Sequence, residues 1–186
     1  MTLLEMKKKV LQLIEEIDET QTSLTSDPDI EAKMHSVINA VMFEVARMKK
    51  IPAYIEKEVT EGEVLDLNTI ENFYQLRLVR FVDEVGNYAE YELFDNMVIF
   101  QKSGTARIYY YKYPVSITDE TEDTYEFELS QDALEIMPYG IAGDLLKSDV
   151  STEYGAVYSS RYESMLQRLD PRYSMSSITI EGGVNI

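Results

Sequence analysis

The chain has 186 residues, 45% of them hydrophobic, and carries 34 acidic against 17 basic side chains, a net charge of −17. This length fits one domain or a domain with a sizeable insertion. Because phosphate contacts depend on Lys and Arg, the charge argues against a protein that wraps nucleic acid with its outer surface, and it is compatible with a channel that repels DNA. The lack of cysteine excludes disulfides, thiolate zinc sites and cysteine nucleophiles, and it suits a reducing cytoplasm.

Membrane and export signals are not evident in the sequence. No stretch approaches the roughly 18 uninterrupted apolar residues of a membrane span, and the N-terminus MTLLEMKKKV lacks the basic-then-apolar order of a signal peptide. We therefore expect no membrane partner and a protein that stays in the compartment where it is made.

Two amphipathic helices are predicted at the start of the chain. Residues 2–18 place apolar side chains three and four positions apart. After a polar loop, Asp27 is a candidate N-cap and Pro28 a candidate first helical residue. This second helix should stop at Ile51, because Pro52 disfavours the helical conformation of the residue before it.

From residue 52 to residue 128 the pattern changes to short runs rich in β-branched and aromatic residues. The DEVGN and DN turns predict an antiparallel meander of consecutive hairpins, in which the runs 54–59 and 64–67 are weaker members. The acidic stretch 119–128 indicates a loop that leads into a final short strand.

The YYYKY run at 109–113 has aromatics and one lysine. Alternation along a strand places Tyr109, Tyr111 and Tyr113 on one face. Tyr110 and Lys112 then lie on the other. Two sheet faces explain this run better than a platform for stacked bases, given the acidic surroundings.

The stretch QDALEIMPYGIAGDLLKSDV at 131–150 is a predicted helix of poor intrinsic propensity. Pro138 costs a helix interior about 3 kcal/mol, and Gly140 and Gly143 each cost about 1 kcal/mol relative to Ala. A separate turn before Pro138 would relieve the first cost, because a proline at the first helical position loses nothing. Together with Ala142, the two glycines would let neighbouring helices approach closely, so packing would compensate for propensity.

A last helix at 152–169 carries a tyrosine-rich stripe and ends before Pro171. The helices on either side of the β-rich region cannot each bury a stripe alone, so we expect them to pack together. The predicted class is α+β: a four-helix body of two N-terminal and two C-terminal helices (1–51 and 129–170), an inserted antiparallel β meander (52–128) and an extended C-terminal tail (171–186).

Signals for chemistry are weak. His35 is the sole histidine and lies beside an apolar stripe, which favours a structural role. The acidic clusters 27–31 and 119–123 lack the alternating ligands and turn glycine of a calcium loop, and no glycine-rich phosphate loop occurs. We therefore predict no catalytic residue, metal or cofactor. A hydrolase whose two carboxylates meet only in the fold is one alternative.

Four consecutive pieces, YYYKYP, SITDETEDTYEFEL, DALEIMPYGIAGDLL and YGAVYSSRYESMLQRL, together resemble the head-to-tail connector (adaptor) proteins of tailed bacteriophages. The resemblance spans residues 107–169, about a third of the chain. It implies a virion structural protein of the neck, assembled in the host cytoplasm, whose helical body docks on a portal protein. It further implies a closed homo-oligomeric ring of about a dozen copies, a dodecamer. This ring would join a tail or stopper protein, and DNA would pass through it without specific binding.

Two groups of residues are candidates for these contacts. The tail could add a strand to a neighbour's sheet edge, with its glycines allowing a bend, and a disordered terminus is the alternative. Its candidate docking residues are Ile178, Ile180, Gly182, Gly183, Val184 and Ile186. The candidates for subunit packing are Gly140, Ala142, Gly143, Tyr154, Tyr158 and Tyr162. The other functional hypothesis is an acidic binding module that mimics nucleic acid.

Overall fold

A computed structural model describes residues 1–17, 24–82, 90–148 and 153–169. Over these ranges the chain forms four α-helices and six β-strands, which confirms the α+β class. The helices are α1 (Leu3–Leu13), α2 (Pro28–Met48), α3 (Gln131–Leu145) and α4 (Tyr154–Arg168). The strands are β1 (Ile51–Val59), β2 (Val64–Asp66), β3 (Phe73–Phe81), β4 (Tyr91–Phe94), β5 (Met97–Phe100) and β6 (Gly104–Lys112). The predicted C-terminal tail lies outside the described residues.

The starts of α1 and α2 are fixed by side-chain caps. Thr2 and Glu5 form a reciprocal capping box, with the Thr2 amide donating to the Glu5 carboxylate at 2.9 Å. The Asp27 carboxylate accepts from the Asp29 amide at 2.8 Å and Pro28 is the first helical residue, so the predicted start of α2 is confirmed. Helix α1 is shorter than predicted, because the chain leaves the helical path after Leu13 and Glu15 takes a left-handed φ of 59°.

The strands form two three-stranded antiparallel sheets. The long sheet has the order β1-β6-β3 and the short sheet the order β2-β5-β4. The predicted DN hairpin is confirmed between β4 and β5, where Asp95 adopts a φ of 52°. The DEVGN turn lies outside the described residues, and the strands on either side of it, β3 and β4, belong to different sheets. The described strands thus do not all pair in chain order, because β6 returns between β1 and β3.

The apolar side chains form two separate clusters. One lies among the four helices and the other between the two sheets, where Val98, Phe100 and Ile108 are fully buried. The sheet cluster draws on residues 59 to 108. This division follows from alternation, since each strand turns one set of side chains inward.

The segment after β6 packs with the helices, although the sequence assigned it to the β insertion. Ile117 and Phe127 are buried in the helical cluster. The Asn39 side chain donates to the Ile117 carbonyl at 2.7 Å and accepts from its amide at 2.8 Å. The final short strand amounts to a single bridge between Thr2 and Glu126. The inserted unit is therefore narrower than 52–128. Among the described helices, none has both the length and the apolar character that crossing a membrane requires.

Candidate interaction surfaces

Helix α3 lies at the centre of the helical body. It contacts α1, α2 and α4, and ten of its fifteen residues are buried. The helix runs without interruption through Pro138, so no separate turn precedes this proline. This burial stabilises α3 enough to outweigh its poor helix propensity. Ser130 precedes the helix in an extended conformation, and its side chain makes no capping hydrogen bond.

The small residues of α3 are required by close contacts within the chain. A Cβ atom on Gly140 would lie 2.9 Å from the Tyr162 ring and 3.0 Å from Val41 Cγ1. A Cβ atom on Gly143 would lie 2.6 Å from Ser159 Oγ and 3.0 Å from the Ser159 backbone nitrogen. Gly140, Ala142 and Gly143 are all buried, and the neighbours of the two glycines lie on α2 and α4 of the same chain.

The three tyrosines of α4 have different environments. Tyr162 is only 7% exposed, and its hydroxyl donates to the Glu44 carboxylate at 2.7 Å. Burial, and then that hydrogen bond, raise the pKa of the Tyr162 phenol. Tyr158 is half-buried and donates to the Leu13 carbonyl at 2.5 Å. Tyr154 is 65% exposed, so it alone of the three presents most of its ring to solvent.

Two apolar patches are exposed on different parts of the molecule. The helix patch consists of Tyr154 and Val157, which are three residues apart and share one side of α4. The sheet patch lies on the outer face of the short sheet, where Phe94 is 67% exposed. Phe94 pairs directly with Met97, and Val64 with Ile99, which places these side chains on one face. The sheet patch comprises Val64, Phe94 and Met97.

The outer face of the long sheet is covered by aromatic and charged side chains. The alternation predicted for the YYYKY run is confirmed for Tyr110, which is buried, and for Tyr109 and Tyr111, which are half-buried on the opposite face. The Tyr109 ring lies 5.9 Å from that of Tyr54, and Lys50 Nζ lies 5.1 Å from the Tyr111 ring centroid. Cations and rings therefore alternate along this surface.

The side chains considered for catalysis are dispersed. His35 Nδ1 lies 2.9 Å from Asp119 Oδ1, and the Asp119 side chain is fully exposed. Over the described ranges no three His, Asp or Glu side chains are grouped closely enough to hold a metal ion. The carboxyl groups of Glu63 and Asp132 have lowered pKa values, chiefly because Lys57 and Lys49 respectively bond to them. A general acid would need a shift in the other direction.

Several features of these surfaces were not predicted from the sequence. The tail residues 178–186 proposed for docking lie outside the described part of the chain. The sheet patch was missed, although the alternation in LFDNMVIF carries a signal for it, because the face left uncovered depends on which sheet β4 and β5 join.

No protein-family model and no curated protein matches the chain.

Proposed function

We propose that this chain is a non-enzymatic virion structural protein, a subunit of the head-to-tail adaptor ring that docks on the portal protein and joins the capsid to a tail or stopper protein. The observation that carries the proposal is the pair of unlike apolar patches. A head-to-tail ring requires two different surfaces on each subunit, and the helix patch and the sheet patch lie on different units of the fold. The resemblance of residues 107–169 to adaptor proteins supports the same function.

The charge of the chain fits a ring through which DNA passes. A net charge of −17 disfavours adhesion of duplex DNA to the lumen, because few cations are present to displace counterions from phosphate. Exposed aromatic side chains such as Tyr154 and Phe94 are typical of protein–protein contacts, where they bury a large area at a small entropic cost.

Quantitative mass spectrometry of purified virus particles tests this function directly. The copy number of the chain is measured against that of the major capsid protein. We expect about a dozen copies per particle, as a closed ring at one vertex implies. Absence from particles would refute the adaptor function, and competition of the purified protein with DNA for a DNA-binding enzyme would then test the nucleic-acid mimic.

Variants of the sheet patch test which surface is used. Replacing Phe94 and Met97 together by Ser should leave the fold intact, since both side chains are exposed, and should reduce incorporation into particles. Val115→Ser is the matched control, because Val115 is also exposed and lies outside both patches. Equal incorporation of both proteins would exclude the sheet patch from the contact. Deletion of 174–186 should likewise preserve the fold and abolish joining to a partner.

A further inference from the structure

The outer face of the long sheet carries an arginine pair with an unusual arrangement. Arg107 on β6 lies directly opposite Glu56 on β1 and directly opposite Arg80 on β3. The three side chains therefore form one row across the sheet. Directly opposed side chains have Cβ atoms roughly 4.5–5.5 Å apart, and like charges at this position destabilise a strand pair. The row has a net positive charge in a chain that is strongly acidic.

The single acidic side chain of the row does not serve both arginines. Arg107 Nε donates to Glu56 Oε1 at 2.7 Å, and a second Arg107 nitrogen binds the same oxygen. Arg107 Nη1 also lies 3.3 Å from the Tyr109 hydroxyl. Arg80 is exposed and forms no ion pair with any described residue. Among the described residues, its guanidinium thus lies beside another cation and without an anion.

A carboxylate from outside the chain would complete this row. A guanidinium presents a planar fork of donors that matches a carboxylate. Duplex DNA is a poorer partner, because its continuous phosphate backbone would also lie along Glu56 and Glu58 on the same face. A short acidic protein segment touches only the local surface.

The chain itself carries such a segment. The acidic turn, defined as residues 119–123, contains four acids and no base, and Glu120 is exposed. The turn is anchored to the helical body, because Asp119 contacts His35 on α2. His35 precedes Met48, the end of α2 nearest β1, by 13 residues, or about 20 Å of helix at 1.5 Å per residue. Both surfaces are therefore held apart in one molecule and can meet only between molecules.

We propose that the row formed by Glu56, Arg107 and Arg80 binds the acidic turn of a second copy of this chain. The contact is heterologous, since the two surfaces differ, and it can repeat from copy to copy. It deepens the proposed adaptor function, on which it rests, by naming one polar contact between neighbouring subunits. Exposed charge pairs are weak individually. This contact therefore sets the relative position of neighbouring subunits and the salt dependence of their association, while the apolar patches add buried area to the interface.

Sedimentation of the full chain tests the contact. We expect reversible self-association at about 0.15 M salt, where the long-range repulsion between two copies of net charge −17 is screened, and we expect it to weaken at higher salt as the local charge pairs are screened. Arg80→Glu should raise the dissociation constant about tenfold or more, because it replaces attraction to the acidic turn by repulsion. The double variant Glu120→Arg with Glu122→Arg should have a similar effect. Arg168→Glu, an equal charge change at the end of α4, is the matched control and should leave association unchanged.

Mixing the two charge-reversed proteins supplies the decisive result. Their reversed surfaces are complementary only to each other, so the mixture should form hetero-associated species that neither variant forms alone. A chain that stays monomeric, or a mixture without recovery, would overturn the contact. Duplex DNA binding that Arg80→Glu abolishes, without self-association, would assign the row to phosphate and also overturn it. Particle copy number is measured separately, so a failure here is distinguishable from failure of the adaptor function.

Discussion

Substitution of Gly143 probes a close contact between α3 and α4. The missing side chain at this position faces backbone, because an added Cβ would lie 3.0 Å from the Ser159 amide nitrogen and 3.3 Å from Ser159 Cα. A side-chain rotation can relieve the 2.6 Å approach to Ser159 Oγ, but only a displacement of α4 relieves the other two. Any larger residue must therefore move one helix away from the other.

The expected loss of stability follows from two opposing effects. Overpacking a buried contact costs about 1–3 kcal/mol. Gly143→Ala recovers up to about 1 kcal/mol of helix propensity, so its net effect should be small or moderately destabilising. Gly143→Leu adds three further carbons to the same gap and should destabilise the protein by about 1–3 kcal/mol. For a chain of this size each kcal/mol lowers Tm by about 2–4 °C.

Thermal and urea unfolding measure these differences. Ala156→Leu is the matched control, because Ala156 lies on the exposed side of α4 and a surface substitution there should change stability by no more than about 0.5 kcal/mol. If Gly143→Leu had the same Tm as the wild type, α3 and α4 would not be in the contact described. The explanation of the small residues in α3 would then be refuted.

Three other substitutions test individual groups. Tyr162→Phe should cost about 0.5–1.5 kcal/mol at neutral pH. The pKa of the Tyr162 phenol is raised in the folded protein, so its contribution to stability is fully present below the unfolded pKa of about 10 and is lost as pH rises further. The wild type should therefore lose more stability above pH 10 than Tyr162→Phe does. Lys49 lowers the pKa of Asp132 to about 2, so the ion pair stabilises the fold above about pH 4 and this stabilisation is lost as pH falls toward 2. Asp132→Asn should therefore make stability depend less on pH in this acidic range. The change should be less than about 1 kcal/mol, because the pair is partly exposed. His35→Ala should change stability by no more than about 0.5 kcal/mol, because its partner Asp119 is fully exposed, and loss of a catalytic activity in this variant would indicate chemistry at the half-buried imidazole.

Local sequence determines the elements themselves. The polar loop, Asp27 and Pro28 specify where α2 begins, because a capping carboxylate and a proline at the first position act within one turn. Similarly, the DN turn specifies the β4–β5 hairpin, since a two-residue connection restricts both strands it joins. Alternation correctly assigns Tyr109 and Tyr110 to opposite faces, because side-chain direction along a strand depends on neighbouring residues alone.

Tertiary structure alone decides how these elements combine. Pro138 stays inside α3 because the surrounding helices bury it, a stabilisation that no local rule contains. Similarly, tyrosines of the same predicted stripe on α4 differ in burial. Tyr162 packs against α3 and is buried, whereas Tyr154 lies beyond the end of α3 and is exposed. The row of Glu56, Arg107 and Arg80 joins three strands that are distant in the sequence, and its register includes irregular pairing between β3 and β6. Such contacts depend on the relative positions of whole elements, so the sequence determined the pieces of this protein and the packing determined its surfaces.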